Sequence, residues 1–228
     1  ELKNNTIRLN RSTDNNSWDI IEKFFQDDQN RNLNTLVNFI KDFDIDITME
    51  SNLIEHYLTD WANNKGNAIG LCRPKCANEC GVIIRCFYKY RMPYTLCAGQ
   101  TALTGSSCPS GGFIISLEKM KFPSVKVDLN LNIIKSPVGI YLENLRKEVQ
   151  KQSKGRLIYP VDPTSRNEAM VGGTISCNAS GFVPGQAGST RYWVNGLEFI
   201  FPNGYGFKAN RGQYVSNNST FILENEEQ

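Results

Sequence analysis

Apolar residues along this chain fall in short blocks that switch between a spacing of three to four and a continuous or alternating pattern, the periods of helix and strand. From residue 68 onward the two patterns take turns. Ala68 to Cys72 reads as a strand, Ala77 to Tyr90 as a helix, Tyr94 to Cys97 and Phe113 to Leu117 as strands, and Val125 to Val127 as another. Val138, Leu142, Leu145 and Val149 share one face of a further helix, with Gly155 as its stop signal. Leu157 and Ile158 begin a short strand. Val194 to Phe201 and Phe207 flank Pro202-Asn203-Gly204-Tyr205, where Asn-Gly predicts a tight hairpin turn. Upstream, Ile20, Ile21, Phe24 and Phe25, then Leu33, Leu36, Val37 and Ile40, predict two short amphipathic helices, although nine of the first forty residues are Asn. Leu53 to Trp61 is helix-like. The mixture is α+β.

Between these blocks lie two stretches of small and polar residues. Ala98-Gly99-Gln100-Thr101-Ala102-Leu103-Thr104-Gly105-Ser106-Ser107 follows the strand-like Tyr94 to Cys97, and its backbone N–H groups suit a nest for phosphate oxygens. The second stretch runs from Tyr159 to Phe199. Gly172, Gly173, Ala179, Ser180 and Gly181 remove bulk there, while Thr174, Ser176, Asn178, Ser189 and Thr190 supply short donors and acceptors. Glycine and hydroxyl residues also build ordinary turns, so chemistry alone leaves a surface loop and a ligand cradle equally open. The first stretch lacks the Lys of a nucleotide P-loop, and no G-x-G-x-x-G run occurs, which disfavours a Walker ATPase or a Rossmann protein.

Composition narrows the class. The 228 residues are 40% hydrophobic, enough for one or two domains with a core, and the formal charge of +2 is too small to imply a nucleic-acid partner. No apolar run approaches a membrane span, and the start Glu1-Leu2-Lys3-Asn4-Asn5 carries no signal-peptide core, which predicts a soluble, cytoplasmic chain. Seven cysteines, an odd number scattered along the chain, fit reduced thiols better than a disulfide scaffold. Cys72, Cys76, Cys80 and Cys86 are spaced C-x3-C-x3-C-x5-C, which matches neither paired zinc motifs nor ferredoxin spacing. Cys76 and Cys80 lie four apart beside Val82, Ile83, Ile84 and Phe87, so buried packing is favoured over metal binding.

Tyr57-Leu58-Thr59-Asp60-Trp61, Cys72-Arg73-Pro74, residues 98–105, Gly112 to Met120, Pro160-Val161-Asp162-Pro163, Val171-Gly172-Gly173-Thr174-Ile175, Asn178-Ala179-Ser180-Gly181 and Gly188-Ser189-Thr190-Arg191 follow one another in a specific order. In that order the chain resembles FAD-linked oxidases of the vanillyl-alcohol-oxidase (PCMH) type. Within them it looks most like the FAD-binding part of D-lactate, glycolate and D-2-hydroxyglutarate dehydrogenases, over roughly residues 53 to 212. The resemblance implies a PCMH-type FAD-binding domain of two α/β subdomains with the cofactor stretched between them. The expected organisation is an Asn-rich helical N-terminal extension at 1–52, the FAD-binding domain at 53–212, and a polar, acidic tail at 213–228.

The resemblance also implies roles. Ala98, Gly99, Gln100, Thr101, Ala102, Leu103, Thr104 and Gly105 would wrap the FAD pyrophosphate through backbone N–H groups, with dipoles rather than a cation meeting its charge. Family members carry more glycine at the start of this loop, and Ala98 and Gln100 depart from them. Pro160, Asp162, Pro163 and Thr164 would pin the approach to Gly172 and Gly173; those glycines with Thr174, Ser176, Asn178, Ala179 and Gly181 would follow the ribityl chain and isoalloxazine. Ser189 and Thr190 would approach the flavin or its adenine end. His56, the only histidine, lies apart from both stretches in sequence and reads as a packing or surface residue; the resemblance implies noncovalent FAD. Related domains continue with a closing strand and a substrate-binding cap, neither of which is found in residues 213–228, so no catalytic base is nominated. The expected activity is hydride transfer from a small 2-hydroxy acid to FAD, completed by a second subunit or a missing C-terminal half. The alternative is a noncatalytic subunit that keeps the fold as a binding or assembly module. A mitochondrial location follows only for a processed eukaryotic chain.

Overall fold

A computed structural model describes residues 5–27, 32–182 and 184–225. The starting residues Glu1 to Asn4, residues 28–31, Val183 and the last three residues of the acidic tail lie outside them. The chain divides into two compact units, one formed by the N-terminal part through Asp44, Ala77–Met92 and the chain from Val194 on, the other by Ile45–Cys76 and Pro93–Trp193.

The first unit is a four-stranded sheet with helices. Strand β1 (Thr6–Arg11) is followed by α1 (Asn15–Phe24) and α2 (Leu33–Lys41), the two amphipathic helices the sequence predicts. Asp14 caps α1 by accepting from the Ser17 N–H at 2.9 Å, and this bond holds its carboxyl below the usual range. Asn32 caps α2 by accepting from the Asn34 N–H at 2.8 Å. After the chain has passed through the second unit, α4 (Ala77–Tyr90) returns to the first and buries Cys80 to Phe87 as one continuous run. With β8 (Gly196–Ile200), β9 (Tyr205–Asn210) and β10 (Ile222–Asn225), the sheet order is β10-β1-β9-β8.

Two features here differ from the sequence reading. The N-terminal segment contributes a strand as well as helices: β1 pairs parallel to β10, Thr6 opposite Ile222, and antiparallel to β9, Arg11 opposite Tyr205. Its alternation rests on Ile7 and Leu9 alone, both buried, which is too short a signal to read as a period. The hairpin turn is centred on Pro202 and Asn203 rather than on Asn-Gly. Gly204 takes φ +84° after them, its N–H donates to the Phe201 carbonyl at 2.9 Å, and Asn203 Oδ1 accepts from the Tyr205 N–H. Pro at the first central position sets a right-handed turn, and Gly204 supplies the left-handed residue that follows it.

In the second unit β3 (Gly70–Cys72), β5 (Phe113–Ser116) and β4 (Tyr94–Cys97) run parallel, with β2 (Ile47–Thr48) antiparallel on the β3 edge, in the order β2-β3-β5-β4. All four residues of β5 are buried, as expected of a central parallel strand covered on both faces. The short α3 (Ser51–Ile54) packs its Ile54 with Leu71, Cys97 and Ile114. A second core lies under the β6 (Lys126–Asp128) and β7 (Ile133–Lys135) hairpin, where α5 (Leu142–Gln152) and α6 (Val171–Ser176) bury Leu142, Leu145, Val149 and Val171 with Val125. The strand expected at Leu157 and Ile158 is an extended segment without a ladder, Ile158 standing exposed. Pro160 and Pro163 remove N–H donors just beyond it, which denies the segment a partner strand. All seven cysteines are free thiols, and among the described residues no three metal-ligating side chains gather. Cys80 and Cys86 are buried in α4. Among those residues no helix is long and apolar enough to cross a membrane.

Carboxylates anchor each unit. In the first, Arg85 and Lys89 grip Glu22; in the second, Arg73 at 2.9 Å and Lys119 grip Asp46. Burial alone would raise both carboxyls, but the hydrogen bonds from these cations outweigh it and leave both below their usual values. A depressed carboxyl contributes stability that is present above its unfolded-state pKa and is lost as pH falls through the folded value. Urea unfolding is therefore expected to show a flat stability near neutrality that declines from about pH 5 downward. A stability that rises on acidification would show these pairs to be absent.

Candidate cofactor-binding site

Three parallel strands end at Cys72, Cys97 and Ser116, and the loop of residues 98–107 leaves from the carboxyl end of β4, the side of an open parallel sheet where ligands bind. Cys97 is buried, which pushes its thiol up to about 12 and leaves it an inert packing group at the loop's root. Beyond it the chain is irregular. Among the described residues the backbone N–H groups of Gly99 to Thr104 donate to no protein acceptor, and the buried Ser107 hydroxyl has no partner. A run of unspent donors next to an orphaned buried hydroxyl is the arrangement an anionic ligand completes.

The loop is held from outside by residues 56–64. Gln100 Nε2 donates to the His56 carbonyl at 3.1 Å and to the Thr59 carbonyl at 2.8 Å, and the Gln100 carbonyl accepts from the Trp61 N–H at 3.2 Å. Asp60 accepts from the N–H groups of Ala62 at 2.9 Å, Asn64 at 3.0 Å and Gly105 at 3.1 Å. The Asn64 side chain donates to the same carboxylate, and these bonds keep Asp60 below the usual carboxylate range. His56, distant from the loop in sequence, is thus in contact with it through its carbonyl. Neighbouring Tyr57 is pushed up to about 12 by burial and by Glu118, so it stays neutral and is no base at ordinary pH.

The second stretch reaches the first through its glycines. A Cβ added to Gly99 would lie 1.9 Å from the Glu168 carbonyl oxygen, one on Gly173 would lie 3.2 Å from the Ala98 Cβ, and one on Gly181 would lie 2.6 Å from the Asp162 N. Gly172 faces Val138 in the same way, at 2.9 Å from its Cβ. Ser180 and Ser189 form an isolated bridge, and Thr190 donates both its N–H and its hydroxyl to the Ala179 carbonyl, at 2.9 and 2.8 Å. Residues 98–105, 160–169, 171–181 and 189–190 are therefore joined by direct contacts.

Within these segments the polar groups divide. The Thr174 hydroxyl donates to the Val171 carbonyl at 2.8 Å and is buried; Thr190 is spent on Ala179; Asn178, at φ +49°, accepts from the Arg191 N–H at 3.0 Å. Asp162 is ion-paired with Arg146 and Arg166, each at 2.9 Å, while its backbone carbonyl accepts from Phe182. These residues shape the surface. Pro160 is half-buried beside it, Thr104 bonds Ser106, and Thr164 and Ser176 are exposed with no polar partner among the described residues. In the sequence Asp60 and Ser107 figure only as members of their stretches, with no role of their own, and Asn64 is not singled out. The signal for Asp60 and Asn64 is local, an Asp followed by Asn63-Asn64 in an Asx-turn setting.

Residues 68–210 match the family described as the FAD binding domain. The chain is 33% identical over 132 residues to the glycolate oxidase subunit GlcD of Bacillus subtilis (strain 168), covering 58% of this chain and 27% of that protein. It is 27% identical over 146 residues to the mitochondrial D-2-hydroxyglutarate dehydrogenase of Rattus norvegicus, covering 64% and 27%. It thus spans about a quarter of the length of these relatives. Among solved structures, alkyldihydroxyacetonephosphate synthase superposes with a TM-score of 0.67 at 18% identity over 76% of this chain and 38% of that one. Chitooligosaccharide oxidase gives 0.65 at 17% identity over 78% and 38%.

Proposed function

Because the chain belongs to the FAD-binding-domain family, we propose that residues 98–107 receive the diphosphate of FAD on the N–H groups of Gly99 to Thr104 and the Ser107 hydroxyl. Pro160, Asp162, Thr164, Gly172, Gly173, Thr174, Ser176, Asn178, Ala179, Gly181, Ser189 and Thr190 then shape the surface along the ribityl chain and ring. The observation that supports this most is the set of unspent donors in a loop that Gly99 and Gly173 lock against the second stretch. Bound flavin supplies a two-electron acceptor. The chain's own part is to orient it and to meet the diphosphate charge with dipoles, since the loop carries no Lys or Arg.

The FAD is held without a covalent bond. Purified protein is expected to show the two-band absorption of oxidised flavin, and acid precipitation should release all of it as FAD. Colour that stays with the precipitate would replace this with a covalent link, and a colourless chain that takes up no added FAD would sink the cofactor reading.

The activity that follows is that of the flavin-binding part of a 2-hydroxy-acid dehydrogenase, with hydride passing from the substrate carbon to FAD. Its support is the likeness to proteins named glycolate oxidase and D-2-hydroxyglutarate dehydrogenase. The match covers 27% of each of these relatives, so turnover is to be sought with a polypeptide that supplies the remainder. Bleaching of the flavin by glycolate, D-lactate or D-2-hydroxyglutarate in that pairing is the expected result. Flavin that no such acid bleaches would leave a module that binds FAD without turning over.

A further inference from the structure

We propose that Asp60 and Gln100 are positioning residues that clamp the two ends of the diphosphate loop, an inference that rests on the FAD reading above. Gln100 stands at φ +54°, in the left-handed region that favours glycine and disfavours a residue of its size. A long side chain persists there because it is used. Gln100 Nε2 bonds two carbonyls at once, His56 and Thr59, and the Gln100 carbonyl takes the Trp61 N–H. Five residues on, the Gly105 N–H is caught by Asp60 Oδ2, while Asp60 Oδ1 is occupied by the Ala62 and Asn64 N–H groups of its own turn.

One rigid turn thus fixes both ends of the segment whose N–H groups are unspent. Holding the ends sets the direction of the donors between them before any ligand arrives, which removes an ordering cost from binding. Asp60 does this with a negative charge close to where a diphosphate would lie. Its charge opposes the ligand and its geometry favours it, so the two contributions predict opposite results for one substitution.

Asp60→Asn separates them. An Asn oxygen still accepts from Ala62 and Asn64, whereas its NH2 turns a donor toward the Gly105 N–H, so the turn survives and the latch opens. Gln100→Leu keeps the backbone strain without the two side-chain bonds, and Gln100→Gly removes the strain and those bonds, while the backbone bond from Trp61 stays in both. Affinity for FAD by fluorescence quenching, affinity for ADP by competition, thermal midpoint, and hydrogen exchange of the Gly105 amide are measured on the full chain. The expected result for Asp60→Asn is a loss of about tenfold for FAD and ADP with faster Gly105 exchange and a midpoint near wild type. Gln100→Leu loses at least as much, and Gln100→Gly less. Asp60→Asn binding FAD as tightly as wild type, or more tightly, overturns the clamp. So does a loss that only tracks the thermal midpoint across the three variants. Should Asp60→Asn fail to fold, Gln100→Gly decides alone: unchanged affinity overturns the proposal. A wild-type chain that takes neither FAD nor ADP overturns the cofactor reading, and the positioning role falls with it.

Discussion

Gly99→Ala is expected to weaken FAD binding by more than about a hundredfold and to destabilise the second unit by about 2–3 kcal/mol. The reason is a contact between two backbones. A methyl group at residue 99 would sit 1.9 Å from the Glu168 carbonyl oxygen and 3.1 Å from the Ala169 Cα. Ordinary separation is roughly 3.5 Å, so the loop and the 160–169 segment would have to part by roughly 1.5 Å. A carbonyl cannot swing away as a side chain does, and this one belongs to a segment tied down by Ala169 and Arg166 accepting from Leu142 and Glu143. The displacement therefore falls on the loop and misdirects the donors of Gly99 to Thr104. Gly185→Ala is the control: nothing lies within 4 Å of its added Cβ, and affinity should be unchanged. Equilibrium titration with FAD and urea unfolding of both variants check this. A Gly99→Ala chain that binds FAD like wild type would show that the two stretches are apart when the cofactor is held.

The same glycine shows what the sequence disclosed. Small residues at 99, 172, 173 and 181 coincide with close approaches of chain to chain, because close approach needs glycine whether a ligand or another strand of chain does the approaching. The sequence does not say which. From Gly99 and Gly181 the space a side chain would need is filled by Glu168 and Asp162, so these two are demanded by chain meeting chain. Some elements were legible to the residue: Ala77–Tyr90 and Tyr94–Cys97 form as read, each centred on a local apolar block, Cys80 to Phe87 in the helix and Tyr94 to Cys97 in the strand. β1 and β10 were not. Their pairing joins Thr6 to Ile222, and nothing local to either strand encodes a partner at that distance in the chain. Gln100 and Asp60 were invisible as a pair for the same reason. Each looks like a turn residue in its own stretch, and only the fold brings the Asp60 carboxylate to the Gly105 N–H.

Replacement of Arg85 should give the largest loss of stability in the first unit. Its guanidinium, almost wholly buried, donates to Glu22 and to the Asn203 carbonyl at 2.8 Å, and lies over the Trp18 ring at 4.2 Å. Trp18 in turn packs edge-on to Tyr205 with centroids 4.7 Å apart. One cation therefore joins α1, α4 and the β8–β9 turn. Arg85→Met keeps much of the volume but strands Glu22 and the carbonyl. Breaking a buried pair costs roughly 3–5 kcal/mol, and since Glu22 is part-exposed and keeps Lys89, about 2–4 kcal/mol is expected here. That corresponds to a fall in midpoint of roughly 5–15 °C for a chain this long. The sign of the pH dependence tests the cause. With Arg85 gone, Glu22 loses a hydrogen bond that holds its carboxyl down, so its folded pKa moves up toward the unfolded value. The wild-type advantage is full above the unfolded pKa and shrinks as pH falls through the depressed folded value, so the deficit of Arg85→Met should be smaller at about pH 3 than at neutrality. Adding Glu22→Leu to the variant should restore part of the loss, because two apolar groups leave no stranded charge. A deficit that is constant with pH and untouched by the second substitution would assign the effect to packing against Trp18 alone.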